Sequence, residues 1–316
     1  MRQRSNTTLT ALAVATAVLL SGSAIAVADT IVGDDGDNSL TGSMGGDRIL
    51  AKAGADTVDA RAGSDLVAAG PGADSVDAGP GRDLVRGGEG DDQIRGGGAP
   101  GRRGDLLHGN AGNDRVYGNR GSELITGNAG NDELHGGYGC DGIYAGPGDD
   151  KVMGGPGRNF FRDRCDRLHG GDGRDTILGG AGRDKMSGGV GDDYQVGAAG
   201  ADLIFANRGA DVSIGSDGND TLWALSRYDV TALGDMLGDQ LFGGHGNDHF
   251  RVRDGEVDRV SCGDGRDRVL ADQYDAIAPD CEKVRRVVVT SLFQVGDGPE
   301  NREEAPPADG DEGGGE

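Results

Sequence analysis

An acidic residue or Asn recurs every nine residues in this chain, after a glycine. Asn38, Asp47, Asp56, Asp65, Asp74, Asp83 and Asp92 form one unbroken run. Two residues after each comes an apolar residue: Leu40, Ile49, Val58, Val67, Val76, Val85 and Ile94. Carboxylates and the carbonyls of tight turns are hard oxygen donors, and six to eight of them suit a hard divalent cation. The chemistry implied is ion coordination repeated along the chain, and a fixed period of this kind demands a repeat architecture.

The element that positions these oxygens follows from the spacing. Six residues make a turn and three make a strand. Glycine permits the positive φ angles of a tight turn. The mid-strand apolar side chain points to the opposite side from its two neighbours, into an interior, while they face solvent. The fullest copies read Gly-Gly-x-Gly-x-Asp-x-apolar-x, as in GGEGDDQIR from Gly87 to Arg95. This string resembles the hemolysin-type, or RTX, calcium-binding nonapeptide repeat. The resemblance implies an all-β fold, a right-handed parallel β-roll (β-solenoid). Two nonapeptides would make one turn, with Ca2+ between loops two repeats apart.

The array continues at Asp105, Asp114, Glu123, Asp132, Asp141, Asp150 and Asn159, then at Asp166, Asp175, Asp184, Asp193, Asp202, Asp211 and Asp220. Gly243 to Asp248 is a further well-formed copy, nine residues after Asp239, so the resemblance covers roughly residues 33–271. The calcium ligands expected are Asp47, Asp56, Asp74, Asp83, Asp92, Asp114, Asp132, Asp141, Asp150, Asp175, Asp184, Asp193, Asp202, Asp220, Asp248 and Asp267. Copies at Asp65 and Asp211 lack most glycines, and those at Asp105 and Asp166 lack the usual spacing, so these are left out. Gln195 and Ser213 stand where an apolar residue should point inward. A disordered Gly/Asp-rich linker would share this composition but would not hold an apolar residue at a fixed phase.

Composition agrees. With 54 acidic and 31 basic residues the formal charge is -23. Such a charge repels itself in a compact state, so the ions should be a condition of folding. The same charge excludes nucleic acid as a partner, as no basic patch meets phosphates, and 4% aromatic content leaves little for base stacking.

Arg2 and Arg4, an apolar stretch from Leu9 to Leu20, and Ala26-Val27-Ala28 read as a cleaved secretion signal over residues 1–28. After cleavage no segment is apolar enough to span a membrane, and the chain is expected to be secreted into an oxidising, calcium-rich setting. The organisation expected is a repeat solenoid over 29–271, a cap with a disulfide over 272–295, including a last strand in Val284 to Phe293, and a disordered acidic tail over 296–316.

Four cysteines allow three pairings. Cys140 and Cys165 each precede an in-phase Asp and lie two repeats plus seven residues apart. If Gly154 to Phe160 bulge out, the two stack on neighbouring turns and pair. Cys262 then pairs with Cys281. The stretch from Asp254 to Val284 resembles the ending of secreted actinobacterial members of this repeat family.

No H-E-x-x-H, G-x-S-x-G or phosphate loop occurs. His108, His135 and His169 are expected to be solvated. Trp223 to Gly238 breaks the phase, with Trp223 covering an irregular stretch of core. Paired acids such as Asp91-Asp92, Asp149-Asp150 and Asp192-Asp193 belong to the repeat phase, which explains them better than acid–base chemistry. The expectation is a structural or adhesive extracellular protein and not an enzyme, with a cell-surface or polysaccharide ligand as possible partner. The alternative is a polysaccharide-acting enzyme or its binding module. An ice-binding rod would need a flat threonine ladder, which Thr57, Thr126, Thr176 and Thr221 do not form.

Overall fold

The structure, a computed structural model, describes residues 28–98, 104–156, 164–224 and 238–289. Among them are 26 strands, and every pairing is parallel. Each strand pairs with the next but one, as Leu66–Pro71 does with Leu84–Glu89. The chain therefore winds as a two-sheet solenoid and advances by one strand spacing, about 4.8 Å, per turn. Thr176–Val190 passes from one sheet to the other and pairs in both.

The alternating burial of each strand follows from the nonapeptide. In Gln93–Arg95 only Ile94 is inside. The interior is one column of such residues per sheet, among them Ile49, Val85, Leu107, Ile143, Ile177 and Leu222, all fully buried. One large apolar side chain for every nine residues, with small ones such as Ala51 and Ala60 beside it, makes a thin core.

The ladder does not stop where the strand triplet ends. Gly70 pairs with Gly88 and Pro71 with Glu89, so the first half of each nominal turn also stacks in register. A left-handed residue four before the Asp makes this possible by bending the chain before it extends again. Gly88 has φ 133° there, and Asn128 holds the same place at φ 73°.

Inserted residues leave the register intact. Gly142 of one turn faces Arg167 of the next, which places the positions of Cys140 and Cys165 across neighbouring turns. The side chain of Cys165 lies outside what the structure describes. Gly154 to Pro156, expected to bulge, remain in the strand Lys151–Pro156, with Gly155 and Pro156 against Gly180 and Ala181, and the rest of the expected bulge lies outside the described residues. Trp223 also departs from expectation. It sits in the regular strand Thr221–Trp223, on the outer side between Phe205 and Arg251. Its ring meets Phe205 edge-on at 5.3 Å, and the Arg251 guanidinium lies 4.2 Å from its centroid.

At the C-terminal end Cys262 and Cys281 are disulfide-bonded with Cα atoms 5.2 Å apart. Lys283–Arg286 forms the last rung of its sheet, against Arg268–Ala271. The expected leader, apart from Ala28, and the acidic tail lie outside the described residues. No helix among the described residues is long and apolar enough to cross a membrane.

Candidate functional site: two ladders of buried carboxylates

The acidic residue that closes each turn is drawn inside. Asp92 is 2% exposed and Asp175 is fully buried. A strict arrangement holds it. The backbone N–H of Asp74 donates to Oδ1 of Asp92 at 2.8 Å, and that of Asp92 donates to Oδ1 of Asp114 at 2.9 Å. Turn after turn repeats this bond, with a gap at Glu123, whose carboxylate oxygens accept none, so a ladder of carboxylates runs along each of the two edges where the sheets meet. One passes through Asp47, Asp65, Asp83 and Asp105, the other through Asp56, Asp74, Asp92 and Asp114. The side chain thus replaces a strand as hydrogen-bond partner where the backbone turns.

The second oxygen has a different environment. Oδ2 of Asp74, Asp92, Asp132, Asp175, Asp193 and Asp220, among others, is buried without a hydrogen-bond partner. It lies against the glycine that opens its own turn. A Cβ on Gly87 would collide with Oδ2 of Asp92 and crowd the carbonyl of Gly109, one turn on. The same pair of oxygens surrounds Gly188, from Asp193 and Ala206, and Gly215, from Asp220 and Gly243. Glycine is required there by space, and the space holds a carboxylate oxygen and a turn carbonyl.

Burial raises these carboxyls above the usual range. Asp83, Asp92 and Asp132 are pushed up to about 7, and Asp150 and Asp193 to about 8, first by desolvation and then by the carboxylates one turn away. Hydrogen bonds from the backbone act in the opposite direction. A column of like charges at strand spacing, with orphaned oxygens beside carbonyls, is a donor set fitted to a hard cation. The Asp carboxylates and turn carbonyls would hold calcium. When bound, the ion supplies the positive charge that offsets the column.

All sixteen expected ligands occupy this ladder or its last rungs. Asp267 accepts from Asp248 at 2.8 Å and donates to Glu282 at 2.8 Å. Asp65, Asp105, Asp166 and Asp211, left out for want of glycines or spacing, take the same position, and so does Asp239, which was not among the expected ligands. Each lies nine residues before the next acidic position, and missing glycines at Asp65 and Asp211 or an insertion before Asp105 and Asp166 hid that signal. Arg61 adopts φ 71° where glycine is usual, so that residue is dispensable. Glu123 is the misfit. Its longer carboxylate reaches Gly104 and Gly121, and burial with Asp141 alongside pushes it up to about 9.

Two histidines are less solvated than expected. His108 is 9% exposed, with Nδ1 2.7 Å from Thr126 Oγ1. His135 stacks on Tyr117 at 4.8 Å between ring centroids.

A family model described as the RTX calcium-binding nonapeptide repeat (4 copies) matches residues 26–58, 41–76, 68–99, 101–134, 126–161, 166–195 and 196–222. No curated protein matches the chain. The carboxylate ladder runs on past the last matched residue, through Asp239, Asp248 and Asp258.

Proposed function

The chain belongs to the RTX calcium-binding nonapeptide repeat family, and on that premise we propose an exported rod that folds as its ions bind and serves a structural or adhesive role without catalysis of its own. One observation carries this reading: the stacked, buried Asp Oδ2 atoms that have no proton donor and share their space with turn carbonyls. The thin core gives the fold little else with which to offset so many desolvated charges. Ion binding and folding are then one process.

Export is supported at the first rung. Asp29, the residue after the expected cleavage point, donates its backbone nitrogen to Asp47 Oδ1 at 2.7 Å. Cleavage after Ala28 would make that nitrogen an α-ammonium and the bond a charge-assisted one. The absence of catalysis is supported by the paired acids. Asp92 is locked in the ladder, and Asp91 accepts the N–H of Asn113 at 2.8 Å.

Two measurements test the reading. Expression with the native leader should release a chain that begins at Asp29. Equilibrium dialysis should find roughly a dozen calcium ions per released chain, the number that neutralises its charge. Retention of the leader would remove the export claim, and a chain that binds one or two ions would remove the ion-built rod. A glycan array separates the structural role from polysaccharide binding, because strong specific capture would favour the latter.

A further inference from the structure

The last turns of the solenoid depart from the nonapeptide. Between the strands His249–Val252 and Arg259–Gly265 the chain reads Asp-Gly-Glu-Val-Asp, with carboxylates at alternate residues. Asp254 and Asp258 are fully buried and Glu256 is 3% exposed. One oxygen from each of the three lies within 4.8 Å of the others. Asp258 spends Oδ1 on the N–H of Asp239 at 2.8 Å, while its Oδ2 is buried with no hydrogen-bond partner.

The surroundings fix the cluster and add to its charge. Asp272 accepts the N–H of Gly255 at 2.8 Å, and Asp275 accepts the N–H of Asp272 at 2.7 Å. Arg286 donates to the carbonyl oxygens of Asp272 and Asp275 and not to their carboxylates. Desolvation first, and then Asp254, Asp275 and Glu256, hold Asp258 well above the usual carboxylate range, and Asp239 is raised for the same kinds of reason.

We propose that Asp254, Glu256 and Asp258 form a separate calcium site that closes the C-terminal end of the solenoid. A repeat turn offers one carboxylate with carbonyls, whereas three carboxylates converge here. Affinity for calcium rises with ligand charge and rigidity, so this site fills before the array. It would fasten the segment that leads into Cys262, joining ion and disulfide in one clamp. The site shares Asp258 with the ladder and draws Asp254 and Glu256 from outside the nine-residue phase.

Hydrogen exchange of the intact chain, read by mass spectrometry across a calcium titration, tests it. Peptides over 253–262 should gain protection at a calcium concentration at least about tenfold below that needed by peptides over 66–98. The double variant D254N/E256Q should move the first step up at least about tenfold and leave the second in place. D92N should do the reverse, weakening the step at 66–98 alone. Exchange over 253–262 that ignores calcium, or that tracks the array in wild type and variants alike, overturns the site. If the double variant fails to fold, the wild-type titration decides alone by the same criterion. A response at 253–262 without one at 66–98 would uphold this site and refute the array.

Discussion

Replacing Asp193 by Asn separates the two tasks of a ladder carboxylate. The amide keeps Oδ1, so the 2.9 Å bond from the Asp175 N–H survives. It removes the charge and turns a donor toward the carbonyl of Ala206. Asp193 is pushed from 3.8 up to about 8, with burial as the first cause. At pH 7.5, carrying this group into the metal-free fold, where it stays mostly protonated, therefore costs about 5 kcal/mol relative to the unfolded chain. Relaxation of the turn around the group lowers this to about 2–3 kcal/mol. D193N should accordingly favour the fold in chelator, giving more β signal there than wild type in far-UV circular dichroism. In excess calcium it should destabilise, because an ion loses a charged ligand. D193A lacks Oδ1, leaves the Asp175 N–H unpaired and should destabilise in both conditions by about 1–3 kcal/mol. Equal destabilisation by D193N with and without calcium would refute the reasoning and leave Asp193 a purely structural residue.

The metal-free fold should gain stability as pH falls from 8 toward 4. Asp92, Asp150 and Asp193 keep their protons to about 7, 8 and 8 in the fold, while the unfolded chain has already lost them. Far-UV circular dichroism in chelator at several pH values checks this, with more β signal at lower pH, and in calcium the trend should reverse as protons compete with the ion. A198G should stabilise by up to about 1 kcal/mol in urea titrations, because Ala198 sits at φ 76°. S213A should stabilise by about 1 kcal/mol or more, since the Ser213 hydroxyl is buried without a partner. Removing the Cys262–Cys281 bond, which closes a separation of 19 residues, should lower stability in calcium by about 3 kcal/mol. Non-reducing peptide mapping of the same protein tests Cys140–Cys165.

Much of this architecture could be read from the residues. The phase of Leu40, Ile49 and Val58 marks the interior, and the offset between Cys140 and Cys165 anticipates the stacking of Asp141 on Asp166, at 2.8 Å. Period alone cannot reveal what each carboxylate oxygen does. The Oδ1 bond depends on the approach of neighbouring turns, which no single repeat encodes. Lys52, Arg61 and Ala198 adopt the left-handed region because the stacked ladder imposes it, so counting glycines undervalued those turns. Gln195 and Ser213, on neighbouring turns, broke the apolar pattern yet are buried. Gln195 recovers one bond, from Nε2 to the carbonyl of Phe205 at 2.9 Å. The Asp254–Asp258 cluster was hidden because its spacing is two and not nine.

The central claim is that ions and solenoid form together. Far-UV circular dichroism of the chain during a calcium titration from chelator tests it most directly. A cooperative rise of β signal as calcium reaches roughly 0.1–1 mM is the predicted result. A full β spectrum in chelator at pH 7.5, unchanged by calcium, would contradict it.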